Sequence, residues 1–292
     1  MPKSILVTGA NGQLGSELQQ FAPIHPELNF TFVTRTELDL SDSNAIAAWF
    51  ADKHFDVIIN CAAYTAVDKA ETELDLAYAI NSTAVATLAT IAKAQHSSLI
   101  HISTDYVFAG QNYRPYLETD ATDPQGVYGA SKLAGEQALL TINPAKSIII
   151  RTAWVYSQFG NNFVKTMLRL GKEREELGVI YDQVGSPTSA RDLACAILSI
   201  IYHPKLASLT GTEIYHYSNE GVCSWYDFAK AIFNHSELNC RVKPLETKDY
   251  PTPAKRPHYS LLNKAKIKHD YDITLPYWPD SLKASLNILN GK

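Results

Sequence analysis

The sequence has 292 residues, 46% hydrophobic and 19% charged, a globular composition that excludes a disordered chain. Its 26 Lys and Arg against 30 Asp and Glu give a formal charge of −4, with no basic stripe or charge run to suggest nucleic acid. The cysteines Cys61, Cys195, Cys223 and Cys240 form no C-x-x-C pair and the nine histidines form no H-E-x-x-H, so free thiols and no catalytic metal are expected.

In chain order, an apolar run at 5–7 leads into a glycine-rich turn and a helical stretch. A second run lies at 30–33, and a helix is predicted over 43–53 with Ser41 or Ser43 as its cap. A run at 57–59 precedes a long helix predicted over 73–95, and a run at 99–102 precedes a helix over 127–140. A fifth run lies at 148–150. Such runs, apolar on both faces, read as buried parallel strands, and their alternation with helices predicts an α/β fold with a Rossmann-type doubly wound sheet. No stretch reads as a membrane span of about 20 apolar residues, and the start reads as a strand and not as a signal peptide. A cytoplasmic protein with neither a membrane nor a nucleic-acid partner is expected.

Beyond Arg151 the pattern changes. Helices are predicted over 161–171, 190–202 and 224–233, the last capped by Ser224, and strands at 179–181 and 214–217. The proline-rich stretch 250–257 must be extended loop. The expected organisation is a dinucleotide-binding domain at 1–153, with a return of the chain near 188–217. The remainder, 154–187 and 218–292, forms a smaller α+β substrate-binding lobe.

The turn after the first strand reads Thr8-Gly9-Ala10-Asn11-Gly12-Gln13-Leu14-Gly15, a G-x-x-G-x-x-G pattern. Glycines there let the backbone turn sharply and approach a pyrophosphate at the positive end of the next helix. An NAD enzyme should carry an acidic residue after the second strand for the ribose 2′-OH. This sequence has Arg35 there, which can hold a 2′-phosphate and favours NADPH; Glu37 leaves NADH open.

Tyr128 and Lys132 form Y-x-x-x-K, a spacing that puts both on one helix face. A nearby ammonium favours the phenolate, so Tyr128 is expected to titrate nearer neutrality. Among 16 tyrosines this spacing also arises by chance, and Tyr226 with Lys230 repeats it. Context favours the first pair, which follows Ser103-Thr104-Asp105 at a strand end, where ligands of doubly wound sheets bind. The Ser103 and Thr104 hydroxyls are expected to face nicotinamide and substrate.

These motifs, with Asn60-Cys61-Ala62-Ala63 and Ser103 through Phe108, resemble the extended short-chain dehydrogenases/reductases. More narrowly, 66–71, 151–156, 182–188 and Arg256-Pro257 resemble the dTDP-4-dehydrorhamnose reductases along nearly the whole chain. The resemblance implies an NADPH-dependent oxidoreductase of nucleotide-sugar biosynthesis, reducing a 4-keto sugar held between two lobes. It implies Tyr128 as proton donor, Lys132 on the nicotinamide ribose and Thr104 orienting the keto oxygen. Gly9, Asn11, Gly12, Gln13, Leu14, Arg35, Asp39, Leu40, Ala62, Ala63 and Thr65 would contact the cofactor. Val67, Asp105, Tyr106, Trp154 and Arg256 would contact the nucleotide sugar, Arg256 near a phosphate. Some members dimerise through a metal held by acidic residues; Arg191 stands in the corresponding stretch, so no metal is carried over and a homodimer is left open. An epimerase or dehydratase holding NAD tightly, and a non-catalytic NADP-binding regulatory subunit, are the alternatives.

Overall fold

Six strands pair in parallel in the order β2-β1-β3-β4-β5-β6. They are β1 (Lys3–Thr8), β2 (Leu28–Val33), β3 (Val57–Asn60), β4 (Ser98–Thr104), β5 (Ser147–Thr152) and β6 (Thr212–Tyr217). The structure is a computed structural model and describes residues 2–291. Alternation along β1 shows why the strands are apolar on both faces: Ile5 and Val7 enter one core and Leu6 the other. The first core lies under α1 (Gln13–Phe21) and the helix Ala190–Tyr202. The second lies under α2 (Ser43–Phe50), α3 (Leu74–Gln95) and α4 (Val127–Ile142). Because β2 and β3 flank β1 on opposite sides, the chain reverses there, and a crevice opens beyond the strands' carboxyl ends.

Three local readings change. Asp42, not Ser41 or Ser43, caps α2, its Oδ1 accepting from the Asn44 and Ala45 N–H groups at 2.8 and 3.2 Å. Ser41 has already given its hydroxyl proton to Asp39, at 2.8 Å. The helix over 73–95 is not continuous, since a π turn at Ala79–Thr83 interrupts it. Finally, α3 does have the length and hydropathy of a membrane span, but Val85, Leu88, Ala89 and Ala92 place its apolar stripe in the second core.

The lobe has its own core, including Tyr156, Met167, Phe228, Trp278 and Leu282. The strand at Glu176–Ile180 pairs in parallel with Arg241–Leu245, a partner the sequence pattern does not reveal. Ser224 caps the helix Trp225–His235 as expected, in a reciprocal capping box with Asp227. On that helix Tyr226 packs against the lobe core and Lys230 is exposed, so the second Y-x-x-x-K is surface spacing. We propose the division into 1–153 with 188–217 and 154–187 with 218–292 on the strength of these separate cores. Ile267, Tyr271 and Leu275 depart from it by packing with the sheet.

Beneath the crevice lies an ion pair with almost no solvent contact. Arg151 of β5 places Nε 3.0 and 3.1 Å and Nη2 2.7 Å from the Glu136 carboxylate of α4. The two side chains are 3% and 0% exposed. Ser103 at the end of β4 donates to the same carboxylate. Removing one partner of such a pair strands a buried charge. Glu136→Ala should therefore cost about 3–5 kcal/mol in urea unfolding, and Glu136→Met with Arg151→Met should recover most of it.

Candidate active site

A cavity of about 920 Å³ occupies the crevice and runs from the glycine turn to the lobe. Gly9 has φ +67°, and a Cβ there would lie 2.8 Å from the Ala62 nitrogen, so only glycine lets the two turns meet. Gly12 precedes α1 and provides no side-chain cap, which leaves the N–H groups of that helix end available to an anion. Gly9, Asn11, Gly12, Gln13 and Leu14 all line the cavity. These features fit a dinucleotide pyrophosphate.

After β2 the wall is formed by Arg35, Asp39 and Leu40. Glu37 is turned away: its Oε2 accepts from the Thr34 N–H and hydroxyl at 2.8 and 2.9 Å. Glu37 is thus spent on its own loop, while Arg35 stays exposed and 3.6 Å from the Asp39 carboxylate on the cavity wall. Asp39 shapes the turn, with its Oδ1 accepting from the Ser41 N–H at 2.9 Å. An Arg at this wall suits a 2′-phosphate.

Beyond β3, Ala62, Ala63, Thr65 and Val67 line the cavity. Asn81 fixes this segment, and the sequence reading missed it. Its Oδ1 accepts from the Tyr64 N–H at 2.9 Å, and its Nδ2 donates to the Tyr64 carbonyl at 3.1 Å and to Ser131 of α4 at 3.0 Å. The π turn in α3 is what brings Asn81 here, and such bulges concentrate at functional sites.

Tyr128, Lys132, Thr104, Asp105 and Tyr106 come together in the middle of the cavity wall. Lys132 is 2% exposed and donates from Nζ to the Ile102 carbonyl at 2.6 Å. Its Nζ lies 3.4 Å from His101 Nε2, His101 Nδ1 lies 3.0 Å from the Asn60 amide, and Thr8 donates to Asn60 at 2.7 Å. Burial lowers Lys132 to about 8 and, with the Lys132 charge, holds His101 neutral. Tyr128 departs from the sequence expectation, because burial pushes its pKa up and outweighs any pull toward phenolate. The phenol keeps its proton near neutral pH, and its place on the cavity wall is what lets it act as a donor. Ser103 also lines the cavity, with its hydroxyl proton given to the Glu136 carboxylate.

Toward the lobe, Trp154 lines the cavity and stacks on Trp225, with ring centroids 3.6 Å apart and planes 12° apart. Trp154 has φ +52°, a left-handed backbone that a bulky residue rarely adopts. Trp225 also lines the cavity and was missed, since nothing local marks it apart from its place after the Ser224 cap. Arg256 does not line the cavity. Its guanidinium bonds Asp68 at 2.6 Å and the Tyr106 hydroxyl at 3.3 Å, so it reaches the site through Tyr106. Among the described residues, no group of three or more His, Cys, Asp and Glu is placed to hold a metal. Arg191 instead lies 3.9 Å from Glu17.

The sequence matches the RmlD substrate binding domain family over residues 3–290. A dTDP-4-dehydrorhamnose reductase of Escherichia coli (strain K12) is 45% identical over 300 residues, covering 98% of each chain. The chain belongs to the dTDP-4-dehydrorhamnose reductase family. A Bacillus anthracis member solved in complex with NADP is 40% identical with TM-score 0.91, covering 98% of this chain and 99% of that one. A UDP-Glc/GlcNAc 4-epimerase from Campylobacter jejuni covers 99% of this chain and 100% of that one with TM-score 0.77, but at 19% identity it shares the fold alone. Within the family, Arg35 is the residue to test for cofactor choice. Arg35→Ala should raise KM for NADPH by about tenfold or more and leave KM for NADH within about twofold, measured by steady-state oxidation of each.

Proposed function

We propose that this chain reduces the 4-keto group of dTDP-4-dehydro-β-L-rhamnose to dTDP-L-rhamnose, using NADPH. The observation that carries the reading is the Tyr128 phenol on one cavity wall with Thr104 and Lys132, beside a cradle shaped for a dinucleotide. The Escherichia coli and Bacillus anthracis relatives support the substrate and the cofactor respectively.

Bound NADPH would supply the hydride for the carbonyl carbon. Charge then grows on the keto oxygen, where Thr104 stabilises it and Tyr128 neutralises it by giving up its proton. Lys132, anchored by the Ile102 carbonyl, is placed one helical turn after Tyr128 to hold the nicotinamide ribose. Gly9, Asn11, Gly12, Gln13, Leu14, Ala62, Ala63 and Thr65 hold the rest of the dinucleotide, and Arg35, Asp39 and Leu40 its adenosine end. Val67, Asp105 and Tyr106 border the sugar, and Trp154 offers its ring to an apolar face of the deoxysugar. The setting is cytoplasmic, the partner is a small nucleotide sugar, and neither nucleic acid nor membrane takes part. Glu37, bonded to Thr34, argues against an epimerase that retains NAD through a carboxylate on the ribose.

Tyr128→Phe removes the acid and little else. Its kcat for sugar-dependent NADPH oxidation should fall by about 10²–10⁴-fold, with the NADPH Kd from fluorescence titration within about twofold of the parent. Equal turnover in the two proteins would refute the role of Tyr128.

A further inference from the structure

Trp225 lines the cavity from the lobe side, and no step of the reduction uses it. It opens the helix Trp225–His235, whose N-terminus is fixed by the capping box. There Ser224 Oγ accepts the Asp227 N–H at 3.1 Å, and Asp227 Oδ2 accepts the Ser224 N–H at 2.9 Å. Phe163 packs beside the Trp225 ring, with centroids 4.7 Å apart. Backbone and ring of Trp225 are therefore both held in place.

Trp154 is the residue that needs holding. A φ of +52° is unfavourable for a bulky side chain and persists only where the surroundings over-determine it. Three contacts do so here. The Trp154 carbonyl accepts the Thr188 N–H at 3.1 Å. Trp225 covers one face of the ring at a centroid distance of 3.6 Å. A Cβ at Gly185 would lie 3.0 and 3.1 Å from ring atoms Cε2 and Cζ2, so the glycine leaves the indole its own volume and little more. Gly185 pairs with Cys223 and Val184 with Ser224, so one strand pair of the lobe carries both Gly185 and the start of the Trp225 helix. An unstacked indole would turn about its two side-chain torsions, and this one is clamped.

We propose that Trp225 is a positioning residue for the sugar: it locks the Trp154 indole, and the stacked pair forms an apolar wall that is in place before the nucleotide sugar arrives. The inference rests on the reductase reading of this cavity. A ring fixed in advance loses no rotamer freedom on binding, whereas a ring free to turn loses it each time. An aromatic surface matches the C–H face of a deoxysugar and has nothing comparable to offer a diphosphate. Removal of Trp225 leaves the chemistry of Trp154 intact and takes away its orientation, so the loss falls on the sugar alone.

The test titrates the NADPH-loaded enzyme with dTDP-L-rhamnose and with dTDP, the difference between them reading the sugar. In Trp225→Ala the Kd for dTDP-L-rhamnose should rise about tenfold, with the Kd values for dTDP and NADPH within about twofold of the parent. Trp225→Phe restores a flat ring to the stack and should bring the Kd for dTDP-L-rhamnose back to within about threefold. In a Trp154→Ala background, Trp225→Ala should cost less than about twofold more, because its effect passes through Trp154. A further tenfold loss in that background would overturn the proposal, as would an unchanged Kd in Trp225→Ala or an equal rise for dTDP. Circular dichroism of the parent decides without any variant having to fold. Two stacked indoles give an exciton couplet, and its presence in ligand-free enzyme supports a preformed wall. A couplet that was absent, or that emerged only with dTDP-L-rhamnose, would overturn it. Parent enzyme that bound neither nucleotide would refute the reductase reading, and the couplet would still decide whether Trp225 locks Trp154.

Discussion

One carboxylate fixes the relation between the sheet and the helix that carries Tyr128 and Lys132. Glu136 lies one turn after Lys132 on α4 and bonds at once to Arg151 of β5 and Ser103 of β4. A helix packed on a sheet by apolar contacts alone can slide by a fraction of an ångström at little cost. A bidentate pair out of reach of water cannot, because any slip leaves buried charge without a partner. Arg151 immediately precedes Thr152 and Ala153 on the cavity wall, and Ser103 immediately precedes Thr104. The residues that neighbour the chemistry are thus held by backbone continuity to an anchor just outside it.

The same economy runs through β1, β3 and β4. Thr8, Asn60 and His101 are fully buried in the middle of the sheet, where apolar residues would pack more simply. Their hydrogen bonds link the strand that ends at Gly9, the strand that ends at Ala62 and the Lys132 amine. Each polar group is paired, so the cost of burying it is offset, and the relative height of three strand ends is specified more tightly than packing could manage. A cradle that must hold the pyrophosphate and the nicotinamide ribose together requires that specification.

What the sequence made legible was local chemistry. The glycine turn, Arg35, Thr104 and the Tyr128–Lys132 spacing each sit within a few residues of a strand end, and their meaning follows from turn geometry and helical period. The alternation of apolar runs likewise announced the sheet. The unread parts depend on contacts between residues far apart in the chain. Trp225 stacks on Trp154, 71 positions earlier, only because the lobe folds back over the sheet. Asn81 and Glu136 read as ordinary polar residues on helices, and only the interruption of α3 and the neighbouring strands turn them into braces. Lowering of the Tyr128 pKa was the natural inference from an adjacent Lys, and burial reversed it, a quantity no spacing reveals.

Reduction between two bound molecules also demands that both halves of the cavity keep their distance. The first helix supplies much of that constraint. Its N-terminus faces the expected pyrophosphate, and Gln13 on its first turn donates to the Val155 carbonyl at 3.3 Å and accepts from Asn162 at 3.0 Å. Lower on the same helix, buried Glu17 accepts from Ser157 at 2.6 Å. Val155, Ser157 and Asn162 belong to the segment that follows Trp154 into the lobe, so one helix binds to both sides of the cavity. Opposite it, Arg256 ties the 251–257 loop to Asp68 and Tyr106, which closes the far rim onto the sheet. The gap between hydride donor and sugar is then set by hydrogen bonds of defined length, as a reaction that depends on near-contact of the reacting atoms requires.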